Sequence, residues 1–277
     1  MQYSHSMKVP PIVLSIAGYD PFSGAGITAD IKTAAAQGCY AVTCITGLTV
    51  QSSQGVFEVK PVEADYVLRT LGALVKDLEI AAVRVGMLGS AGVASTVASV
   101  LTALDLRSIV LDPVLRSSSG TALLDDLGRQ VLREELLPLA DVITPNVDEA
   151  AVLAGIEAAP ADRPWEDVLP WLRMAAAKLH SLGSRAIVIT GGHLPQANDY
   201  LSYLENGTLR EGILAGSHLE SRATHGTGCA FATSMACQLA LGQKLPQAAR
   251  AAKKYVRKAV ESSYPMGKGT GPINHMV

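Results

Sequence analysis

The residue types best suited to chemistry lie in His225-Gly226-Thr227-Gly228-Cys229, which precedes an amphipathic run containing Phe231, Met235 and Leu239. The glycines therefore sit where a helix begins, and the first amides of a helix have no carbonyl partners within it. Glycine lets the backbone come close to a ligand, and free amides at the positive end of the macrodipole favour an anion. One reading is an anion hole for a phosphoryl group in transfer, with Thr227 adding a hydroxyl donor. A glycine-rich turn capping an ordinary helix is the plain alternative. Cys229 favours the first reading, because a thiol at a helix N-terminus is expected to ionise easily and can accept a proton from a substrate hydroxyl. Cys237, further along the run, reads as a packing residue.

A second glycine-rich stretch, Gly18-Tyr19-Asp20-Pro21-Phe22-Ser23-Gly24-Ala25-Gly26, follows an apolar run and leads into a helical pattern. It fails as a dinucleotide fingerprint: a long loop precedes Gly24, and after Asp30 no acid occurs until Glu58. No Gly-Lys-Ser or Gly-Lys-Thr tripeptide occurs, which excludes a Walker-type phosphate loop. Asp112-Pro113, Thr144-Pro145-Asn146 and Thr190-Gly191-Gly192-His193 each close an apolar run, and ligands gather at such strand ends. Asn146 and Glu149, three apart at a helix start, can face the same way and help to hold a hydrated Mg²⁺ near phosphates. Asn146 as a simple N-cap is the competing reading. Thr190 and Gly192 are candidates to line a nucleotide site, or a loop made permissive by glycine. His5, His180 and His218 show no metal-ligand spacing.

Positioning these groups requires a regular scaffold. Short apolar runs recur at Ile12-Ala17, Val42-Leu48, Ala82-Val85, Ile109-Leu111, Val142-Thr144 and Ala186-Thr190, and they read as buried parallel strands. Between them lie helical patterns at Ala29-Gln37, Glu63-Lys76, Ala91-Leu104, Asp125-Leu137, Val147-Ala154 and Trp165-Leu182, the last with Pro170 expected to kink or divide it. Such alternation predicts an α/β fold, a sheet with helices on both faces. Asn206-Gly207 between Tyr200-Glu205 and Thr208-Leu214 predicts a tight hairpin and an antiparallel edge. Helices at about Cys229-Leu241 and Pro246-Ser263 lead into a Gly-rich tail, Gly267-Lys268-Gly269-Thr270-Gly271-Pro272. With no repeat or low-complexity linker, residues 1–277 read as a single domain.

The 277 residues are 48% hydrophobic, ample for a large core, while a net charge of -2 offers no general attraction for nucleic acid or an anionic membrane. Small molecules are the expected partners. Cys39, Cys44, Cys229 and Cys237 lack CxxC spacing and suit a reducing compartment. Ile12-Ala17 is a poor signal peptide, and no apolar stretch approaches the roughly 18 residues of a membrane span. The expectation is a soluble, cytoplasmic protein.

Taken in order, several segments resemble the ribokinase superfamily, and specifically the hydroxymethylpyrimidine and phosphomethylpyrimidine kinases of thiamine biosynthesis. They are Ile16-Ala17-Gly18-Tyr19-Asp20-Pro21 with Ser23-Gly24-Ala25-Gly26, Thr49-Val50-Gln51, Val85-Gly86-Met87-Leu88, Leu111-Asp112-Pro113-Val114 and Ile143-Thr144-Pro145-Asn146. Gly191-Gly192-His193, Thr224 to Cys229 and Gly271-Pro272-Ile273-Asn274-His275 complete the match over nearly the whole chain. The resemblance implies a three-layer α/β/α fold with a central, mostly parallel sheet and a small antiparallel edge. It implies ATP and Mg²⁺ as cofactors and two successive phosphorylations of 4-amino-5-hydroxymethyl-2-methylpyrimidine, to the monophosphate and then the pyrophosphate. A homodimer is a further family expectation.

By the same resemblance Gln51 recognises the pyrimidine, and its amide suits the task by offering a donor and an acceptor together. Ala25, Asp30, Met87 and Val114 match positions lining that pocket. Asp30 can instead be a solvated helix residue, and Met87 and Val114 core. Asp112, Asn146, Thr190, Gly192 and Gly228 fall on the nucleotide side, with Asp112 and Glu149 toward the metal. Cys229 takes the place of the aspartate that most of the superfamily uses as base, as in the pyrimidine-kinase branch and some pyridoxal kinases. Thr190 and Ser118 depart from the lysine, or lysine or threonine, of many relatives, which bears on the second phosphorylation. Arg116 can supply a replacement cation or be a surface arginine. Pyridoxal or pyridoxine kinase is the nearest rival activity, and Gln51 favours the aminopyrimidine. A catalytically silent ligand sensor is the alternative from another class; its mark would be a damaged anion hole, and here that motif is intact.

Overall fold

The computed structural model describes residues 9–104, 106–192 and 194–277; His5 and His193 lie outside the described residues. Strands β1 (Ile12–Tyr19), β2 (Tyr40–Ser52), β3 (Gly55–Pro61), β4 (Ile80–Val85), β5 (Ile109–Leu111), β6 (Val142–Ile143), β7 (Ala186–Ile189), β8 (Asp199–Glu205) and β9 (Thr208–Leu214) form one sheet. Its order is β3-β2-β1-β4-β5-β6-β7-β8-β9. The run from β2 to β7 is parallel, while β3, β8 and β9 pair antiparallel at the two edges.

The helices are α1 (Gly26–Ala36), α2 (Ala64–Asp77), α3 (Ala91–Ala103), α4 (Asp126–Val131), α5 (Val147–Ala154), α6 (Trp165–Ser181), α7 (Thr227–Ala240) and α8 (Leu245–Glu261). Alternation along the strands divides them into two layers. Ile16, Val83, Leu111, Ile143 and Ile187 join one cluster with residues of α2, α3, α5 and α6. Their neighbours Val13, Ala82, Val110, Val142 and Val188 join the other with α7, α8 and Ala34 of α1. Each such buried Val, Leu or Ile side chain contributes roughly 1.5–3 kcal/mol, which explains why these strands are apolar on both faces. No helix among the described residues is long and apolar enough to cross a membrane.

The expected alternation of strands and helices is present, with several differences. First, a second antiparallel edge exists, because β2 extends to Ser52 and turns back into β3. Second, α6 runs through Pro170 without dividing: the ring removes one backbone donor near the helix start, while buried Trp165, Val168, Trp171 and Leu172 hold the segment against the core. Third, α1 begins at Gly26 rather than Ala29, which places Asp30 inside the helix on its buried face. The helix expected over Asp125-Leu137 is α4 continued by a widened turn over Leu132–Leu136 and a tight one over Leu137–Leu139, where Pro138 ends it.

From β1 the chain goes to β2 on one side and, through β3 and α2, to β4 on the other. The direction of winding thus reverses beside β1, and a crevice opens at the carboxyl ends of the strands.

Candidate active site

That crevice is a cavity of about 1180 Å³ lined from the ends of the parallel strands and from the start of α7. Gly226 caps α7 in the left-handed region, φ 88°, and a Cβ there would stand 1.7 Å from the Gly24 carbonyl oxygen. Only glycine allows the two glycine-rich loops to touch in this way. No side chain among the described residues caps the helix; the Thr227 amide donates to the Thr224 carbonyl at 3.4 Å, and Gly226, Thr227, Gly228 and Cys229 all contribute to the cavity wall. The space in front of Gly228 is open. An anion is the natural complement to this arrangement.

Arg84 of β4 lines the same cavity at its floor, with no solvent exposure. Its Nη1 donates to Asp30 at 3.1 Å and its Nη2 to Asp112 at 2.5 Å. Burial alone would weaken the guanidinium's hold on its proton, but Asp30, the Cys229 sulfur when ionised, and Asp112 outweigh that and keep it charged. Gly86 makes room for it, since a Cβ there would lie 2.0 Å from Nη1. Asp30 also accepts from Ser15 and Thr233, both at 2.6 Å. The pocket-lining place expected for Asp30 is therefore not where the side chain lies; its carboxylate is spent on internal partners and absent from the cavity wall. A solvated helix position is equally excluded.

Cys229 is half-buried, and burial pushes its thiol up to about 11; Arg84 and the Gly26 amide pull down, while Asp112 and Asp30 push up. The helix N-terminus was expected to make this thiol easy to ionise. Low dielectric and two neighbouring carboxylates reverse that expectation.

Asp112, after β5, and Glu149, in the first turn of α5, both line the cavity. Asn146 and Glu149 form a capping box: the Glu149 amide donates to Asn146 Oδ1 and the Asn146 amide to Glu149 Oε2, each at 2.9 Å. The capping alternative for Asn146 is thus present, and both residues still border the cavity. Burial and then the nearby Asp112 charge push Glu149 up to about 8. Burial also raises Asp112, against the pull of Arg84. Two neighbouring carboxyl groups, each raised by burial, suit a hard divalent cation, which would favour their ionised forms, although no group of three or more such ligands occurs among the described residues.

At the other end, Gln51 at the tip of β2 lines the cavity with Ala25, Met87 and Val114. One end of its amide lies 3.1 Å from His225 Nε2 and the other 3.2 Å from Thr49 Oγ1. His225 Nε2 lies 2.8 Å from Asp20 Oδ2, and Asp20 accepts from the amides of Phe22, Gly24 and Ala25 at 2.8–3.0 Å. Burial would raise Asp20, but the His225 hydrogen bond and charge, with the Ala25 and Phe22 amides, hold it below the usual carboxylate range.

Thr190 and Gly192 line the cavity beyond β7. Beside them Lys253 Nζ lies 2.8 Å from Asp199, which accepts from the Gly191 amide at 3.0 Å. Arg116 sits exposed at the rim and donates to the Gly120 carbonyl at 3.2 Å. The cavity thus brings together every expected site residue except Asp30. Sequence reasoning passed over Arg84, Asp20 and the Lys253–Asp199 pair. Arg84 carried a signal: a lone charge inside Ala82-Val83-Arg84-Val85 must find partners if that run is buried.

The chain is similar to known kinases over most of its length. A curated relative in Streptomyces coelicolor, a hydroxymethylpyrimidine/phosphomethylpyrimidine kinase, is 41% identical over 266 residues, spanning 96% of this chain and 94% of the relative. An ADP complex of Bacillus subtilis pyridoxal kinase superposes with a TM-score of 0.83 at 31% identity, covering 96% of this chain and 97% of the other. Phosphomethylpyrimidine kinase from Clostridium difficile superposes at 0.75 with 29% identity, over 90% and 99%. These neighbours share the ribokinase-like architecture. The phosphomethylpyrimidine kinase model matches residues 20–274, so the chain belongs to the phosphomethylpyrimidine kinase family.

Proposed function

We propose that the chain transfers phosphate from ATP to the hydroxymethyl group of 4-amino-5-hydroxymethyl-2-methylpyrimidine, and again to the resulting monophosphate, in thiamine biosynthesis. One observation carries this reading: Gln51 lies 3.1 Å from His225, the residue that opens the glycine turn of the anion hole. A group able to grip an aminopyrimidine and a group able to hold a phosphoryl are thus on one wall.

Gln51 grips the ring edge, with Ala25, Met87 and Val114 closing around it. The amides from Gly226 to Cys229 receive the phosphoryl oxygens, and Thr227 adds its hydroxyl. Asp112, Asn146, Thr190, Gly192 and Gly228 face the nucleotide. Asp112 and Glu149 would hold Mg²⁺, directly or through water, and the ion would supply charge neutralisation at the phosphates. Asp30 serves from below the floor, by fixing Arg84. Cys229 accepts the hydroxyl proton. With its thiol near 11 it is a strong base but a scarce one at neutral pH. Phosphoryl transfer tolerates this because it relies chiefly on positioning and charge neutralisation.

A single cytoplasmic kinase domain is part of the reading, supported by one continuous sheet and by cysteines that are all free thiols among the described residues. A homodimer rests on the family resemblance alone. The similarity to pyridoxal kinase makes pyridoxal the alternative substrate. The test is to incubate purified protein with Mg-ATP and each of hydroxymethylpyrimidine, its monophosphate and pyridoxal, and to identify products by mass. Pyrimidine mono- and pyrophosphate support the proposal; pyridoxal phosphate as the only product overturns it.

A further inference from the structure

An amide's oxygen and nitrogen ends are nearly the same size and are told apart by the hydrogen bonds they meet. For Gln51 those bonds decide the question. His225 Nε2 faces the Asp20 carboxylate at 2.8 Å, so that nitrogen carries a proton and directs it to Asp20. It has no lone pair left for an N–H donor, and the end of the Gln51 amide 3.1 Å away must therefore be the carbonyl. The other end gives the same answer. Thr49 has one hydroxyl proton, which it donates to the Tyr19 carbonyl at 3.1 Å. With that proton on the Tyr19 carbonyl, which can only accept, the hydroxyl is left to accept from Gln51, 3.2 Å away, and an NH₂ at that end satisfies both neighbours.

We propose that Asp20 and His225 are positioning residues for substrate recognition: acting through Gln51, they hold its amide with the oxygen toward His225 and the nitrogen toward Thr49. The amide then presents a fixed order of acceptor and donor to the cavity. A ring that offers an exocyclic amine beside a bare ring nitrogen meets it donor to acceptor and acceptor to donor. A ring that offers a carbonyl beside a ring N–H meets it with both contacts reversed. Reversal leaves buried polar groups opposed and unpaired, which costs far more than a lost apolar contact. Asp20 is suited to set this polarity because three backbone amides of its own loop fix its carboxylate.

This inference rests on Gln51 recognising the aminopyrimidine, and its test separates the two. The probes are hydroxymethylpyrimidine and its 4-oxo counterpart, which carries C=O and N–H where the former carries an amine and a bare nitrogen. Binding constants and kcat/KM are measured for the whole chain and for Gln51→Ala, His225→Phe and the double variant. The wild type is expected to favour the amine by about 100-fold or more, on the scale of a reversed polar pair. His225→Phe keeps a ring beside Phe22 but frees the amide to turn, so the preference falls about tenfold or more, with KM for the amine rising more than kcat falls. The double variant matches Gln51→Ala alone. Asp20→Asn cannot accept both from the Phe22 amide on one side and from His225 with the Gly24 and Ala25 amides on the other, so the hold on the histidine loosens, and it gives the same fall in preference even if His225→Phe does not fold. Full additivity of His225→Phe and Gln51→Ala, or an unchanged preference in Asp20→Asn, overturns the proposal. A Gln51→Ala variant that binds the amine as tightly as wild type instead overturns the recognition role on which it rests.

Discussion

Replacing Arg84 by methionine removes a fully buried charge and leaves two carboxylates facing each other. Asp30 keeps the Ser15 and Thr233 hydroxyls, each 2.6 Å away, whereas Arg84 is the side-chain partner of Asp112. Removing one member of a buried ion pair costs about 3–5 kcal/mol, because the uncompensated charge stays behind. Against a typical total of about 5–15 kcal/mol, this is a large share. Urea unfolding at pH 7, followed by circular dichroism, should show that loss for Arg84→Met. Arg84→Lys keeps the charge but not the two-pronged geometry, and should fall between it and wild type. The sign with pH is fixed by the freed carboxylates. Buried without a cation, they bind protons more tightly folded than unfolded, so stability rises as pH falls and the deficit narrows toward acid. Asp30→Asn combined with Arg84→Met should cost less than the sum of the two. Gly86→Ala should reproduce part of the effect, since its methyl group would displace the guanidinium. A loss under about 1 kcal/mol for Arg84→Met, within the range of an exposed ion pair, would show that the buried carboxylates do not depend on the guanidinium.

Cys229→Ala should lower turnover by roughly 100-fold or more, the scale of general base catalysis, while calorimetry still detects pyrimidine binding. Undiminished turnover removes the thiol from the mechanism. Because that thiol lies near 11, its alkylation by iodoacetamide in the ligand-free protein should speed up about tenfold per pH unit from 7 to 10; a plateau near neutrality would show a readily ionised thiol instead. His275, buried and donating to the Gly24 carbonyl at 3.0 Å, is pushed down to about 4. It stays neutral in the fold but is protonated when unfolded below about 6.5, so its contribution is whole above that pH and lost as pH falls toward 4. Wild type should lose about 3 kcal/mol over that span that His275→Gln does not; equal slopes for the two proteins would contradict it.

The parallel strands were legible because burial on both faces leaves a continuous apolar run, as at Ile109-Leu111 and Ala186-Ile189. Strand β3 was not, since its exposed residues, Phe57 among them, lack the apolar run of a buried strand. The glycine turn at Gly226 announced itself through local chemistry. Its partner did not: Asp20 and His225 are 205 positions apart, and nothing local to either names the other. Asp30 illustrates the same limit. Its position in a helix was readable, but whether it faced substrate, solvent or Arg84, 54 positions away, depended on how α1 packs. The thiol of Cys229 was misjudged because a helix terminus is a local feature, whereas burial and the carboxylates that raise the thiol, Asp112 after β5 and Asp30 of α1, come from distant parts of the chain.

In the proposed function one wall selects an aminopyrimidine and presents its hydroxymethyl group to the glycine turn. A competition in one vessel tests it most directly: equal concentrations of hydroxymethylpyrimidine and pyridoxal with limiting Mg-ATP, and the ratio of phosphorylated products read by mass spectrometry. Pyrimidine phosphates in large excess are the predicted result, with the excess reduced in Gln51→Ala. Pyridoxal phosphate as the main product, or a ratio indifferent to Gln51, would contradict the claim.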